Sequence, residues 1–306
     1  MIPKANSYFK RMPGLYWIWY IVPAFLIYAI FMAYPLIDSI RLSFFERTAG
    51  EWSFVGLGNY ATLFFNPSYF ERYINAFRNT WVFFAIHMLV QNTLGILFAI
   101  LLTKATMRGS KIYQTIIFAP TTLAILVTGY LWMLLLNPLW SEGLLSVIGL
   151  PMLAQPWLGM PNASLIAVSL VSSWQWVGIP TILFIVGLQG ISEDIYEAAA
   201  IEGASAWQVF WKIQLPLLTP VIGIVSVLTF VGNFNAFDIV FAMTNFNGAP
   251  NFATDLIGTL FYRYGIAGQF VIGIPEPGVG AAIASITFSM LAVVSFTVLR
   301  FTRTKE

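Results

Sequence analysis

The chain has 306 residues, of which only 9% are charged and 58% are apolar, with a formal net charge of +2 and a mean hydropathy of +0.79. Soluble domains carry about 25% charged residues, so the composition excludes a soluble globular protein and predicts that a lipid bilayer surrounds the chain. The small net charge gives no indication of a nucleic-acid partner, and we expect none. There is no cysteine and a single histidine, His87, which excludes disulfides, thiolate metal sites and a multi-histidine metal site within one chain.

Six segments are long and apolar enough to cross a bilayer, whose core of about 30 Å needs roughly 20 apolar residues per helix. They are approximately residues 16–37, 81–102, 112–136, 163–190, 215–242 and 278–301. The apolar run of the first segment is too long for a signal peptide, and no small-residue cleavage site follows it. We therefore expect an all-α fold, an integral membrane bundle of six transmembrane helices that forms a single domain over residues 1–306.

The distribution of Lys and Arg between the loops predicts the orientation of the chain, because cytoplasmic loops carry the excess. With both termini in the cytoplasm, that side holds ten basic residues: Lys4, Lys10, Arg11, Lys104, Arg108, Lys111, Lys212, Arg300, Arg303 and Lys305. The outer side then holds four basic residues: Arg47, Arg72, Arg78 and Arg263. Arg41 lies near the exit of the first helix. The loop at about residues 190–216 therefore faces the cytoplasm.

Three long connections face the outer side, at about residues 44–80, 137–162 and 243–277. They are rich in Gly, Pro, Asn and aromatic residues, and a short amphipathic helix is predicted at residues 69–77. These connections either receive an extracytoplasmic protein or simply cap the bundle.

The cytoplasmic loop has the most informative sequence, EAAAIEGASAWQVFWKIQLP at residues 197–216. Helical spacing at residues 195–200 places small residues on one face, and Gly203 is predicted to end this helix in the left-handed conformation. A second short helix is expected to pin the hairpin to the bundle through the apolar stripe Trp207, Phe210, Trp211 and Ile213. Pro216 suits the first turn of the next membrane helix. The spacing alone leaves open a docking element and an ordinary interfacial hairpin.

The pattern Glu-Ala-Ala, three residues, then Gly-Ala resembles the EAA loop in the membrane subunits of ABC importers. It is filled here by Glu197, Ala198, Ala199, Gly203 and Ala204. Three further runs resemble the sugar permeases of the maltose and multiple-sugar type: AYPLIDSIRLSF at 33–44, FVGLGNY at 54–60 and FAP at 118–120.

This resemblance implies a type I ABC importer permease fold in a multi-pass protein of a prokaryotic inner membrane. It implies that the loop at 190–216 couples to a separate ATPase subunit, where Glu197 pairs with a basic residue and Gly203 makes the turn. The implied partners are a second permease subunit, usually a different chain, two ATPase subunits and an extracytoplasmic sugar-binding protein. The chain has no G-x-x-x-x-G-K-[ST] phosphate loop. We therefore expect no cofactor and no enzyme activity in this chain, with ATP and Mg on the partner ATPase.

Polar side chains within the predicted membrane helices are candidate solute contacts, because such groups are costly in a bilayer. The fifth segment contains GNFNAFD at 232–238, the fourth contains SWQW at 173–176, and the second contains His87, Gln91 and Asn92. Amides beside aromatic faces suit the hydroxyls and the C–H faces of a sugar. The run at 233–237 also resembles the Asn-Phe-Asn-x-Phe stretch of sugar permeases. The predicted substrate contacts are Asn233, Asn235, Gln175, Trp174 and Phe234; the alternative is that these groups hydrogen-bond between helices.

Two other functions compete with this one. A secondary transporter would use Asp38 or Asp238 for a coupling ion, but such folds usually have internal repeats and broken helices, and the sequence indicates neither. An integral membrane enzyme would need acid–base groups, which are nearly absent from the predicted spans.

Overall fold

A computed structural model describes residues 16–48, 50–104, 107–147, 149–245, 247–268 and 274–302. These residues are mostly helical. The prediction that both termini lie in the cytoplasm depends partly on basic residues that lie outside the described ranges: Lys4, Lys10, Arg11, Arg303 and Lys305.

The first span consists of α1 (Tyr16–Tyr28), a π-helical turn (Ala29–Ala33) and α2 (Tyr34–Leu42). The stretch Tyr20–Leu42 is long and apolar enough to cross a membrane, and none of its most apolar window is buried inside this chain. Tyr20 and Phe31, for example, are 80% and 75% exposed. An apolar surface of this size needs an apolar surrounding, which the bilayer or another subunit provides.

A small antiparallel sheet follows the first span and corrects the all-α expectation. Its strands are β1 (Phe45–Thr48) and β2 (Glu51–Phe54), with Phe45 opposite Phe54. The connecting turn contains Gly50, whose positive φ of 93° suits glycine. The next helix is α3 (Gly58–Phe65), and its Asn59 Nδ2 donates to the carbonyl oxygens of Ser43 and Phe45, both at 2.9 Å. These two bonds fix the hairpin against α3.

The second span is part of one long helix, Pro67–Thr103. It consists of α4 (Pro67–Ile86), a π-helical turn (His87–Asn92) and α5 (Thr93–Thr103). Asn66 caps its start, because the Asn66 Oδ1 accepts from the Ser68 N–H at 3.2 Å and Pro67 occupies the first turn. The predicted separate helix at 69–77 is therefore wrong, since those residues are the first turns of α4. We refer to the two ends of this helix as the Pro67 end and the Thr103 end.

The third and fourth predicted spans are bent pairs of helices. α6 (Ser110–Phe118) is followed by a 3-10 turn (Ala119–Thr122) and α7 (Ile125–Leu135), with a bend of 96°. Pro120 lies in this turn, where its missing N–H and its ring interrupt an α-helix. After α8 (Pro138–Val147) and two 3-10 turns (Pro151–Leu153 and Trp157–Gly159), α9 (Pro161–Trp176) meets α10 (Gly178–Gln189) at 46°.

The fifth predicted span is broken twice. The loop at residues 190–216 forms α11 (Glu193–Ile201), α12 (Ala206–Val209), a π-helical turn (Phe210–Gln214) and α13 (Leu215–Leu217). Then α14 (Thr219–Phe234) follows at a bend of 67°, with Pro216 and Pro220 on either side of the break. Asn235 leaves the helical conformation, and α15 (Asp238–Thr244) is a separate short helix. Continuous spans are thus wrong for the third to fifth segments, and the broken helices that the sequence did not indicate are present.

The chain ends its described part with α16 (Ile257–Tyr262), a π-helical turn (Arg263–Ala267) and α17 (Pro277–Thr302). Among the described residues, Tyr20–Leu42, Pro67–Thr103 and Pro277–Thr302 are single helices able to cross a membrane by length and composition. Three more candidate spans exist only as bent pairs.

The connection between α15 and α16 is packed against the Pro67 end of the long helix. Asn79 Nδ2 donates to the carbonyl oxygens of Phe252 and Asp255, at 3.1 and 3.0 Å. Asp255 is fully buried and forms an ion pair with Arg263. The guanidinium of Arg72 lies 3.3 Å from the centroid of the Phe252 ring. Side chains from α4 therefore hold this connection in place.

Three buried hydrophobic clusters follow the long helix from one end to the other. The cluster at the Pro67 end contains Tyr73 and Ala76 with α16 and α17 residues, and the middle cluster contains Phe83 with α9 and α15 residues. The cluster towards the Thr103 end contains Ala99 and Leu102 with α10 and α14 residues. The long helix is therefore the common wall of the core.

Candidate solute cavity and coupling loop

A cavity of about 400 Å³ lies where the long helix, α9, α10, α14 and α15 meet. It brings together polar residues from the second and fifth predicted spans that are about 140 positions apart in the sequence. Its polar lining residues are His87, Gln91, Ser172, Thr229, Asn233, Asn235 and Asp238. The aromatic side chains of Phe83, Trp176 and Phe237 also line it. The cavity therefore combines hydrogen-bonding groups with aromatic surfaces.

Two lining side chains present hydrogen-bonding atoms that no described group satisfies. Asn233 Nδ2 is a buried donor, and Gln91 Oε1 is a buried acceptor. A buried polar group without a partner costs about 1–3 kcal/mol, so a hydroxylated solute that bonds to both atoms would recover this energy. The amide nitrogen of Gln91 makes only a long hydrogen bond, because its Nε2 donates to Asn92 Oδ1 at 3.4 Å. Asn92 Nδ2 in turn donates to Thr229 Oγ1 at 3.1 Å.

His87 joins the long helix to α9. Its Nδ1 lies 2.8 Å from the carbonyl oxygen of Phe83, and its Nε2 lies 3.0 Å from Ser172 Oγ. A carbonyl oxygen only accepts, so Nδ1–H donates to Phe83, and in the neutral ring Nε2 then accepts from the Ser172 hydroxyl. Both ring nitrogens are thus used between helices.

The five predicted substrate contacts do not all lie in this cavity. Asn233 and Asn235 line it, and Asn235 Nδ2 also donates to the Val231 carbonyl oxygen at 2.9 Å. The other three do not line it, and their contact with solute stays a prediction: Phe234, Gln175 and Trp174.

Each of these three side chains has a different environment. Phe234 is 1% exposed and packs against Phe77, Trp81 and Phe230, while its surface borders a second, mainly apolar cavity. Gln175 is fully buried, and its Nε2 donates to the Leu123 carbonyl oxygen at 3.2 Å. Trp174 is 42% exposed and makes an edge-to-face contact with Trp132 at 5.4 Å between centroids.

The sequence did not predict Ser172 or Thr229 as solute contacts, although helical spacing contained the signal, whereas Trp176 belongs to the candidate run SWQW and does line the cavity. Ser172, Trp176 and Ile179 follow an i, i+4, i+7 pattern on one face, whereas positions 174 and 175 point elsewhere. Likewise, Thr229 lies one turn before Asn233. A helical face that contains Trp176 also contains Ser172, and one that contains Asn233 also contains Thr229.

The loop at residues 190–216 has the local geometry that its sequence predicts. Gly203 has a φ of 73°, which confirms the left-handed conformation. The Ala204 N–H donates to the Ala199 carbonyl oxygen at 2.9 Å and the Gly203 N–H donates to that of Ala200 at 3.1 Å, closing the end of α11. Ala199 is buried, while Glu197 and Ala198 are exposed. The EAA segment therefore presents its glutamate and one alanine outwards.

A capping box that sequence reasoning missed starts α12. The Ser205 N–H donates to Gln208 Oε1 at 2.8 Å, and the Gln208 N–H donates to Ser205 Oγ at 3.3 Å. The signal is the S-x-x-Q spacing. This cap sets the direction in which the second helix leaves the Gly203 turn.

The aromatic stripe of α12 does not pin the hairpin to the bundle as expected. Trp207 and Trp211 are 69% and 48% exposed and contact each other edge to face at 5.4 Å. Only Phe210 and Ile213 are partly buried. The physical reason is that α12 is a single turn of four residues, too short for its aromatic face and that of the following π-helical turn to be covered fully by the described part of the chain. Beside it, a groove of about 590 Å³ is lined by residues of both short helices, including Ala198, Ala199, Glu202, Gly203, Ala204 and Lys212.

Comparison with known proteins agrees with this arrangement. The family model of binding-protein-dependent transport system inner membrane components matches residues 91–303. The multiple sugar-binding transport system permease protein MsmF of Streptococcus mutans is 31% identical over 97% of this chain and 99% of that protein. The lactose transport system permease protein LacF of Rhizobium radiobacter is 28% identical over 100% of this chain and 99% of that protein.

A solved structure shares the fold. It is a bacterial ABC transporter involved in the import of the acidic polysaccharide alginate, and one of its chains is similar with a TM-score of 0.77 and 23% identity, over 94% of this chain and 95% of that chain. The similarity spans nearly the whole of both chains.

Proposed function

Because the chain belongs to the inner membrane components of binding-protein-dependent transport systems, we propose that it forms half of the translocation path of an ATP-driven oligosaccharide importer. Its relatives include permeases named for lactose and for multiple sugars. The observation that carries the proposal is the cavity with a buried free donor on Asn233, a buried free acceptor on Gln91 and aromatic lining. A sugar offers hydroxyls to both amides and C–H faces to the rings.

The loop at 190–216 is proposed as the contact with a separate ATPase. Its acidic residues are all exposed: Glu193, Asp194, Glu197 and Glu202. A carboxylate at Glu197 suits a charge-assisted bond to a basic residue, which is stronger than a neutral hydrogen bond. The exposed Trp207 and Trp211 add apolar area beside this charge. Exposed carboxylates beside exposed tryptophan side chains are a combination that favours contact with a protein partner over exposure to water.

The complete importer is proposed to contain a second permease subunit, two ATPase subunits carrying ATP and Mg, and an extracytoplasmic sugar-binding protein, in the inner membrane of a prokaryote. The cavity of this chain is then one half of the solute path. The uncovered surface of Tyr20–Leu42 is available to lipid or to the second permease subunit.

The test is purification of the chain from its native membrane, followed by reconstitution into liposomes. We expect an ATPase and a second permease to co-purify, and uptake of radiolabelled oligosaccharide to require both ATP and the binding protein. A protonophore or a sodium ionophore should not change the rate. Uptake by this chain alone that collapses with a proton or sodium gradient would contradict the proposal and favour a coupling ion at Asp238.

A further inference from the structure

The described residues that line the solute cavity include a negatively charged side chain but no Lys or Arg. Among the described residues that line it, Asp238 is the only carboxylate, and none is Lys or Arg. Asp238 is exposed on the first turn of α15 and forms no ion pair with a described residue. A negative charge therefore borders the cavity with no described cation to balance it.

The other ionisable lining residue does not supply a balancing charge. The His87 Nδ1–H donates to the Phe83 carbonyl oxygen at 2.8 Å, and in the neutral ring Nε2, 3.0 Å from Ser172 Oγ, accepts from the Ser172 hydroxyl. This pattern uses one N–H and one lone pair, which is the hydrogen-bonding capacity of neutral imidazole. His87 is 2% exposed and forms no ion pair with a described carboxylate, so a charged imidazolium would be costly there, and the neutral ring adds no positive charge to the cavity.

The unsatisfied amides point to the same kind of solute. Asn233 Nδ2 and Gln91 Oε1 offer one donor and one acceptor, which a sugar hydroxyl matches because it both donates and accepts. A uronate carboxylate only accepts hydrogen bonds, so it would satisfy the donor of Asn233 but leave the acceptor of Gln91 unpaired, and it would meet the charge of Asp238. In a cleft with low-dielectric walls, such repulsion is stronger than in water.

We propose that Asp238 makes the cavity electronegative and restricts the solute to uncharged or amino-bearing sugars, excluding uronic acids. This inference rests on the proposed function, since it concerns the charge of the solute that the same cavity takes. The fold does not fix that charge, because an importer of an acidic polysaccharide shares it. Asp238 is thus a specificity-determining residue of this chain.

The absence of cysteine from the sequence allows a direct measurement of the potential. Gly232 lines the cavity, and a Cβ built there meets no atom within 4 Å. We would introduce Gly232→Cys in the intact importer and measure its rates of reaction with a cationic and an anionic methanethiosulfonate reagent of similar size. The ratio of the two rates, divided by the ratio for a free thiol, reports the local potential and cancels changes in the reactivity of the thiol.

The expected ratio favours the cationic reagent by about tenfold or more, the lower end of the effect of charged clefts on association rates. Asp238→Asn should bring the ratio close to that of a free thiol, and Asp238→Lys should invert it. Gly143→Cys is the control, because position 143 is equally open but does not line the cavity. Its ratio should not respond to Asp238→Asn. A faster anionic reagent, a ratio independent of Asp238, or no reaction with either reagent would each overturn the inference.

A second measurement separates this inference from the proposed function. Uptake of neutral oligosaccharides, amino sugars and short oligo-uronides is compared in the reconstituted importer with its binding protein. ATP-dependent uptake of oligo-uronides would overturn the charge selection and leave the sugar importer intact. Absence of ATP-dependent uptake of every sugar, together with a cation-selective ratio at Gly232→Cys, would contradict the proposed function and leave the electronegative cavity standing.

Discussion

The loop at residues 190–216 and the cavity beside the long helix are built in opposite ways. The loop is contiguous, and its turn, cap and exposed glutamate come from a dozen neighbouring residues, Glu197 to Gln208. The cavity draws its polar groups from helices that are distant in the sequence, from His87 to Asp238. A local element shows its geometry in its spacing, whereas an assembled cavity depends on how each helix is rotated in the bundle. Substitutions should therefore act through backbone conformation in the loop and through single lost contacts in the cavity.

The largest effect is expected at the turn of the loop. Gly203→Val places a β-branched residue at a φ of 73°, where a Cβ meets no described atom within 4 Å, so conformational strain and not a clash is the cause. Such strain is of the order of 1–3 kcal/mol. We expect the ATPase to be lost from the purified complex, or its stimulation by the binding protein to fall at least about fivefold, the factor that about 1 kcal/mol represents.

Gly203→Asn is the matched control, because asparagine adopts the left-handed conformation more readily than valine. It should retain most of the stimulation and of the ATPase co-purification. Wild-type behaviour of Gly203→Val in both assays would remove this loop from the coupling interface and end the contrast between the two regions.

An intermediate effect is expected in the cavity. Asn233→Ala removes an amide whose Nδ2 makes no bond to a described group, so folding should be unaffected while solute transport weakens. One lost hydrogen bond is worth about 0.5–1.5 kcal/mol, or roughly twofold to tenfold in the apparent affinity for sugar. Uptake rates across a range of sugar concentrations and the melting temperature of the complex are the two measurements.

Asn235→Ala serves as the comparison for that prediction, since Asn235 is exposed and already bonded to the Val231 carbonyl oxygen. Its effect on uptake should be the smaller of the two. If both variants transport normally, neither amide contributes a contact with the solute that transport needs. If Asn233→Ala instead lowers the melting temperature by several degrees, the amide is a helix–helix contact.

The smallest effect is expected at the cap of α12. Ser205→Ala removes one half of the capping box, which costs about 0.5–2 kcal/mol of local stability. The ATPase should still co-purify, with its stimulation reduced by a few-fold at most. Ser192→Ala is the control, because Ser192 precedes α11 without a side-chain capping bond and instead donates to Asp194 Oδ2 at 3.2 Å. Equal effects of the two variants would show that the cap does not set the geometry of the loop.

The sequence predicted the loop better than the cavity for a physical reason. A left-handed glycine is a property of one residue and its neighbours, so Gly203 was predicted correctly. Asn233 and Asn235 were also placed at the cavity, because polar groups in apolar helices stand out. Trp174 and Gln175 stand out in the sequence by residue type alone, but the rotation of α9 turns Ser172 and Trp176 to this cavity, so contact of Trp174 and Gln175 with solute stays a prediction.

Bends and breaks were the other part that hydropathy did not predict. Hydropathy averages over a window, so it registers apolar length and not direction. The bend of 96° between α6 and α7 arises at the Pro120 turn within a segment that is apolar enough on average to be predicted as one span. Similarly, the exposed Trp207 and Trp211 show that an apolar stripe in the sequence does not indicate whether the stripe packs against its own chain.

The long helix Pro67–Thr103 has a mechanical consequence for solute movement. At 1.5 Å per residue its 37 residues span about 55 Å, so a tilt of about 5° around the Thr103 end would displace the Pro67 end by about 5 Å. The wide turn His87–Asn92 interrupts the regular ladder at the level of the cavity. The least regular turn of this helix lies beside the cavity, so a tilt of either end of the helix would move residues that line the cavity.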